Sequence, residues 1–138
     1  MASNRFFLDA NIFLRHLTHD DPNLYQKATT IFDRIGMENV DAYTTSLVLH
    51  EVTYVLEKLY SFKRTDIVRD LRKLIKLSKL FILDLEKENI LLALKDYKNT
   101  RVDFPDCVYK QIVLENDMLL LSFDEEFKKI KMERFEEV

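Results

Sequence analysis

Short apolar runs alternate with helical patterns along this chain, and this alternation constrains its fold more than any other feature. The apolar runs are RFFLD (5–9), DAYTT (41–45), LFIL (80–83) and MLLL (118–121). Short continuous apolar runs are typical of strands buried on both faces, and such strands occur in parallel sheets covered by helices. The alternation therefore predicts the α/β class, with a three-layer α/β/α sandwich around a central, mainly parallel sheet of four or five strands.

The segments between these runs have the apolar periodicity of amphipathic helices. Helices are predicted over residues 21–36, 46–60, 65–78 and 86–98, and from about Asp103 onward. In the first of them, Asp21 suits the N-cap, Pro22 the first turn and Gly36 the end. A short helix after Asp124 and an edge strand near 133–137 complete the pattern. Because the 138 residues contain no linker or repeat, they are predicted to form a single domain.

Composition narrows the class of protein. Apolar residues make up 47% and charged residues 33%, as in a soluble globular domain. No apolar stretch reaches the ~20 residues of a membrane helix, and the N-terminus lacks a signal-peptide pattern. Cys107 is the only cysteine, so an internal disulfide is excluded and a reducing cytoplasm is expected, with Cys107 as core filler. Gly36 is the only glycine, which excludes Gly-rich phosphate loops and dinucleotide fingerprints.

Four acidic residues fall where a parallel sheet would bring side chains together. Asp9 ends the first strand, Glu51 lies in the helix after the second, Asp106 begins the helix that leads into the fourth, and Asp124 follows the fourth. Ligands of open parallel sheets bind at the carboxyl ends of the strands. Converging carboxylates repel one another unless cations neutralise them, and oxygen ligands alone suit Mg²⁺ or Mn²⁺. Such a site can activate water for attack on a phosphoryl group.

Each acid also has a structural interpretation. Asp103 is expected to cap the helix that starts there, with Asp106 as an ordinary acid of its first turn. Asp124 is able to cap the last short helix, and Glu51 fits a solvated helix edge. Asp9 is expected to be partly buried at the sheet, where an unpaired charge is costly. The prediction of an acidic site therefore depends on the four acids taken together and not on any one of them.

Four ordered segments carry a family resemblance. They read FFLDANIFLRHL, TTSLVLHEVTYVLEKL, DFPDCVYKQI and MLLLSFDEEFKKI. Together they resemble the PIN-domain ribonucleases, which include the VapC toxins of VapBC-type toxin–antitoxin pairs. By position, the resemblance makes the four acids of the family site Asp9, Glu51, Asp106 and Asp124. It implies supporting roles for Asn11, Ser122 and Asp103.

The resemblance implies metal-dependent endonucleolytic cleavage of RNA in the cytoplasm. One or two Mg²⁺ or Mn²⁺ ions would bind Asp9, Asp106 and Asp124, with Glu51 as a further ligand or as the base that orients water. In-line attack would leave a 5′-phosphate and a 3′-hydroxyl. A toxin would also have an antitoxin protein as partner and would form a homodimer. The alternative is a PIN-like module that binds protein or RNA without nuclease activity.

A basic segment interrupts an acidic chain. The net charge is −3, yet residues 57–79 carry eight basic and three acidic side chains. The net negative charge therefore does not favour nucleic-acid binding by the protein as a whole. A local RNA-binding face on the basic segment is compatible with this net charge. Its candidate residues are Lys63, Arg64, Arg69, Arg72, Lys73 and Lys76. A solvated helix face explains the same charges.

The three histidines give a weaker signal. His16 and His19 are three residues apart, and His50 precedes Glu51. A zinc site would need further ligands at suitable spacing. These histidines are therefore expected to be ordinary surface or helix-edge residues.

Overall fold

The computed structural model describes residues 4–130 and 135–137. The described residues form two compact units, which divide between Lys87 and Glu88. Both units combine helices with parallel strands, so the predicted α/β class is confirmed. No helix in the described part of the chain is long and apolar enough to span a membrane.

The first unit is built on a parallel sheet of three strands. They are β1 (Arg5–Phe7), β2 (Asp41–Thr44) and β3 (Leu80–Ile82), in the order β1-β2-β3. Just beyond the strands, the Leu8 N–H donates to the Tyr43 carbonyl at 2.8 Å and the Leu83 N–H donates to the Thr44 carbonyl at 3.0 Å. The three strands therefore end side by side, and the segments that follow them start at one edge of the sheet.

The described part of the first unit contains four α-helices before its boundary. They are α1 (Ala10–Thr18), α2 (Pro22–Gly36), α3 (Ser46–Tyr54) and α4 (Arg64–Ile75). Helix α2 has the predicted ends: Asp21 Oδ1 accepts from the N–H groups of Asn23 and Leu24, both at 3.1 Å. Pro22 is the first helical residue and Gly36 the last. Local sequence signals therefore determined the ends of this helix.

Helix α1 is not among the elements predicted from the sequence. It follows β1 after two residues, and its buried side chains are Ala10 and Phe13. The ring of Phe13 packs against that of Phe32 on α2, with centroids 5.4 Å apart. Packing of one aromatic side chain on a neighbouring helix stabilises a nine-residue helix that would be marginal alone.

The predicted helix over 46–60 is regular only as far as Tyr54. It continues as a π-helical turn over Val55–Leu59, in which the Tyr60 N–H donates to the Val55 carbonyl at 3.2 Å. A π turn holds an extra residue and rotates the side chains that follow. Leu59, near the end of this turn, is consequently 71% exposed, whereas Leu56 is fully buried.

The second unit contains the remaining elements. They are α5 (Lys87–Asn99, which starts at the boundary), α6 (Phe104–Glu115), β4 (Leu120–Ser122), a 3₁₀ helix (Glu125–Ile130) and β5 (Phe135–Glu137). Tyr97 on α5 packs edge-on against Phe104 on α6, with ring centroids 6.0 Å apart. Cys107 is fully buried, as predicted for core filler.

The sheet differs from the predicted one. All four predicted strands are present, and β5 covers the end of the predicted edge strand, whose residues 133 and 134 lie outside the described part of the chain. However, the strands pair as a sheet of three and a separate parallel pair, β4 with β5, and not as one sheet of four or five. Each strand has only three or four residues, so few ladder hydrogen bonds determine which strands pair.

Candidate active site

Asp9 lies at the N-terminus of α1, two residues beyond β1. Its Oδ1 accepts hydrogen bonds from the N–H groups of Asn11 at 3.1 Å and Ile12 at 3.4 Å, so Asp9 is the N-cap of the helix. Its Oδ2 accepts from no residue that the structure describes. The side chain is exposed, and the expected partial burial at the sheet is therefore wrong. Two features account for this exposure. The capping hydrogen bonds turn the Asp9 carboxylate toward the N-terminus of α1. In addition, β1, which Asp9 follows, is an edge strand of the sheet.

Asn11 supports Asp9 through its backbone. The contact is its N–H to the Asp9 carboxylate, and the residue itself is exposed. The resemblance alone did not distinguish a backbone role from a side-chain role. Because the donor is a backbone N–H, this hydrogen bond orients the Asp9 carboxylate without involving the side chain of Asn11.

Glu51 lies in the second turn of α3 and is exposed, while Leu49 and Val52 of the same helix are buried. Its position depends on how α3 begins. Thr45 caps the helix through a hydrogen bond from the Val48 N–H to its Oγ1, at 3.3 Å.

Asp84, just after β3, also holds the start of α3. Its Oδ1 accepts from the Ser46 N–H at 3.0 Å, and its Oδ2 accepts from the Ser46 hydroxyl at 2.5 Å. Sequence reasoning assigned Asp84 no part in the site. The residue ties the end of one strand to the helix that carries Glu51, and only the fold brings positions 46 and 84 together.

Asp106 occupies the first turn of α6 and is half-buried. Burial raises the pKa of Asp106, and the nearby carboxylates of Asp124, Asp103 and Glu126 raise this pKa further. The second unit therefore brings three acidic side chains close to the Asp106 carboxyl. Glu126 was missed by sequence reasoning, although it lies only two residues after Asp124.

Asp103 occupies the N-cap position of α6, but its side chain makes no capping hydrogen bond. The expectation that its carboxylate caps this helix is therefore wrong. The N–H groups of Asp106 and Cys107 instead donate to the Asp103 backbone carbonyl, at 3.1 and 3.3 Å. The Asp103 carboxylate contributes to the charge around Asp106.

Asp124 is held at both its backbone and its side chain. Its N–H donates to Ser122 Oγ at 2.9 Å, and its Oδ1 accepts from the Glu126 N–H at 2.9 Å. Ser122 therefore orients the backbone at Asp124. The carboxylate caps the 3₁₀ helix and raises the pKa of Asp106 at the same time.

The two units divide the predicted site residues between them. Asp9, Asn11 and Glu51 belong to the first unit, and Asp103, Asp106, Ser122 and Asp124 belong to the second. Within the residues that the structure describes, no three His, Cys, Asp or Glu side chains form a group arranged to hold a metal ion. Assembly of the four acids into one site stays a prediction from the sequence.

The predicted basic face is partly neutralised within the first unit. Arg64 forms an ion pair with Glu57 at 2.8 Å. Arg69 contacts Asp66 at 3.2 Å and Asp70 at 3.1 Å.

The other four candidates for RNA contact form no ion pair with any residue between 4 and 130. They are Lys63, Arg72, Lys73 and Lys76. All are exposed except Arg72, which is half-buried. Among the six candidates, the unpaired positive charge therefore lies at these four positions.

The parallel strands and the helices between them place this protein in the α/β class. Comparison with known families then identifies the family to which it belongs. The model of the PIN domain family matches residues 6–132. The chain belongs to the PIN-domain family. No curated protein matches it significantly. PIN domains are generally nucleases, act on nucleic acid and typically use divalent metal ions.

The side chains suit such an ion. The candidate donors are carboxylate oxygens, which Mg²⁺ and Mn²⁺ prefer. Asp9 retains an oxygen without a hydrogen bond from the described residues, and Asp106 is surrounded by negative charge that a cation would neutralise. By chemical type, these donors therefore suit a divalent cation.

Proposed function

We propose that this protein is a metal-dependent endoribonuclease that hydrolyses RNA phosphodiester bonds. The observation that carries the proposal is the acidic environment of Asp106, whose pKa is raised by burial and by three neighbouring carboxylates. Perturbed carboxyl groups of this kind are common at catalytic sites. Membership of a family of nucleases supports the same conclusion.

Asp9, Asp106 and Asp124, with Glu51, are the residues proposed to hold Mg²⁺ or Mn²⁺. When bound, the ion supplies Lewis-acid stabilisation of the phosphoryl oxygens and activates water. Asp9 and Asp124 are preorganised for this role because each carboxylate is oriented by backbone N–H groups.

Glu51 is proposed to accept the proton of the attacking water. Its side chain is exposed, as a base that exchanges protons with solvent requires. Asp84 and Thr45 fix the helix that carries it. Lys63, Arg72, Lys73 and Lys76 form no ion pair within the described residues, and they are proposed to contact the RNA backbone.

The proposal extends to a cytoplasmic toxin of a toxin–antitoxin pair, with an antitoxin protein and a second copy of the chain as partners. The resemblance to VapC toxins supports it. Exposed apolar side chains that a protein partner would cover are also present around β4: Leu119 is 54%, Leu121 64% and Phe123 81% exposed. Leu121 lies in β4, and Leu119 and Phe123 lie directly before and after this strand.

Cleavage of a mixed RNA pool tests the proposed function. The pure protein is incubated with Mn²⁺, Mg²⁺ or EDTA, beside Asp106→Asn and the control Glu88→Gln. Glu88 is an exposed acid of the second unit on α5, so its variant loses the same charge outside the candidate site. Cutting that requires metal and is lost only in Asp106→Asn is the expected result. A folded protein that cuts no RNA with either metal would contradict the proposal and favour a binding role.

A further inference from the structure

A pocket of about 240 Å³ lies in the first unit, and none of the candidate catalytic acids lines it. His16, Leu17 and His19 line it from the end of α1, and Asp70, Lys73 and Leu74 line it from α4. Small-molecule pockets usually measure about 300–1,000 Å³. This one lies just below that range and therefore suits one small ligand.

The ring of His16 is fixed in place at this pocket. Its Nδ1 shares a hydrogen bond with Thr29 Oγ1 at 2.8 Å. Its ring is parallel to that of Tyr25, at 4° and 6.0 Å between centroids, and also contacts Phe32 at 4.9 Å. These contacts hold the imidazole in one orientation, as recognition of a planar ligand requires.

His19 adds a second ring. Its backbone is left-handed, with φ at 60°, where it ends α1. Histidine is among the few non-glycine residues enriched in this conformation. The ring packs against Tyr25 at 4.1 Å between centroids, so one tyrosine contacts both pocket histidines.

The two charged groups of the pocket differ in their partners. The Arg69 Nε donates to Asp70 Oδ1 at 3.1 Å, which neutralises part of the Asp70 charge. Lys73 is exposed and has no ion pair with any residue of 4–130. The pocket therefore combines an available ammonium group, a carboxylate acceptor, two imidazoles and the apolar side chains of Leu17 and Leu74.

We propose that this pocket binds one nucleotide of an RNA strand, at a subsite separate from the catalytic acids. This inference rests on the proposed function. Lys73 contacts the phosphate, the rings and leucines pack against the base, and Asp70 accepts a hydrogen bond from a base amino group or a ribose hydroxyl. Stacking on planar side chains is how proteins hold unpaired bases.

Two other ligands fit the pocket less well. A bare phosphate ion would use Lys73 but leave Leu17 and Leu74 without a partner. A metal ion would likewise leave the side chains of Leu17 and Leu74 without a partner. A nucleotide uses both the polar and the apolar lining.

The pocket lies within reach of the same RNA strand as Asp9. Helix α1 has nine residues between them, and a helix rises ~1.5 Å per residue, so it is about 14 Å long. Asp9 caps its first turn, and the pocket is at its last. An RNA strand cut near Asp9 would extend along α1 to the pocket.

The test uses the full chain in EDTA, so that binding is measured without cleavage. The histidine ring signals are followed by two-dimensional NMR during titration with each of the four 5′-mononucleotides, ribose 5-phosphate and inorganic phosphate. At least one mononucleotide is expected to shift the signals of His16 and His19 but not of His50, which does not line the pocket. Lys73→Gln should weaken the Kd about tenfold, as loss of one charge-assisted contact would. The matched variant Lys27→Gln removes an exposed lysine of α2 outside the pocket and should leave the Kd unchanged.

Two results would overturn the inference. One is the absence of any shift at His16 and His19 with all four nucleotides. The other is equal affinity for ribose 5-phosphate or phosphate, which would reduce the pocket to an anion site.

A kinetic arm separates this inference from the proposed function. In RNA cleavage, Lys73→Gln should raise KM about tenfold and leave kcat unchanged, since it removes a contact made equally before and during the reaction. Nucleotide binding at His16 and His19 without RNA cleavage would reject the proposed function and keep the pocket. RNA cleavage without nucleotide binding would reject the pocket and keep the proposed function.

Discussion

The carboxylate of Asp124, just before the 3₁₀ helix, lies close enough to Asp106 on α6 to raise the pKa of Asp106. Burial is the larger cause, and Asp103 and Glu126 act in the same direction. A raised carboxyl pKa means that the folded state disfavours the charged form. At neutral pH the second unit therefore contains an acid that opposes folding, as is common where a site is organised for function.

Asp106→Asn is expected to raise the melting temperature of the metal-free protein at pH 7. The pKa of Asp106 is higher in the folded than in the unfolded state, so folding is penalised wherever Asp106 is charged. As pH falls through the folded pKa, the wild type becomes protonated and the penalty disappears. The advantage of the variant should therefore shrink between pH 7 and pH ~4, the ordinary range of the Asp carboxyl.

Thermal unfolding at several pH values checks this expectation. Glu88→Gln provides the comparison, because an exposed acid outside the cluster should change stability by no more than about 0.5 kcal/mol. A lower melting temperature for Asp106→Asn at pH 7 would show that the Asp106 carboxylate stabilises the fold.

Mn²⁺ or Mg²⁺ is expected to stabilise the wild type. A ligand that binds only the folded state at a hundred times its Kd adds about 2.7 kcal/mol. Asp106→Asn and Asp124→Asn should lose most of this gain, and Glu88→Gln should retain it. The measurement is the melting temperature as a function of metal concentration. Equal gains in all four proteins would place metal binding elsewhere.

Asp9→Asn is expected to abolish cleavage while keeping stability within about 0.5 kcal/mol of wild type, because asparagine caps helices as well as aspartate does. Asp9→Ala removes the hydrogen bonds to Asn11 and Ile12 and should cost about 1 kcal/mol in addition. Urea unfolding of both variants, beside their RNA cleavage, separates the structural role of Asp9 from its chemical role. Cleavage at wild-type rate by Asp9→Asn would remove Asp9 from the site.

Local signals in the sequence predicted the elements better than they predicted their pairing. Asp21, Pro22 and Gly36 correctly placed both ends of α2, because capping and helix termination depend on neighbouring residues. Helix α1 was missed because it is short and depends on packing between Phe13 and Phe32. The division of the strands into two sheets depends on long-range contacts, which periodicity does not contain.

The roles of the acids were harder to predict than their positions. Asp9 and Asp103 both precede a helix with extended backbone, at φ −83° and −69°, yet only Asp9 caps through its side chain. The difference lies in side-chain orientation, which the sequence pattern does not specify. The pocket between α1 and α4 was missed for a related reason. Its histidines and Lys73 are more than fifty residues apart in sequence, and only folding brings them together.

Stability is expected to decrease as pH falls below about 6.5, the ordinary histidine pKa, through His16. Burial lowers the pKa of His16, and His19 lowers it further, while Asp33 and Asp70 act against this shift. The unfolded chain then binds the proton more readily than the folded chain, so stability is complete above the unfolded pKa and is lost below it.

Urea unfolding between pH 8 and pH 5 checks the role of His16. His16→Gln should flatten the pH dependence, since its side chain does not titrate. NMR titration of the His16 ring should also give a pKa below 6.5. An unchanged pH slope in the variant would assign the acid sensitivity to other groups.

RNA binding is expected to depend on the basic residues that have no acidic partner. On single strands, each phosphate contact contributes about 0.7 to the slope of log K against log salt. Replacing both Arg72 and Lys76 with glutamine should therefore lower this slope by about 1.4 if each contacts one phosphate. Arg69→Gln should change it less, because Asp66 and Asp70 already neutralise Arg69.

Fluorescence anisotropy of a labelled RNA at several salt concentrations measures these slopes. The Asp9→Asn background prevents cleavage during the measurement. A larger effect from Arg69→Gln than from the double variant would mean that the Arg69 ion pairs open on binding, and that the free charges at positions 72 and 76 do not contact RNA.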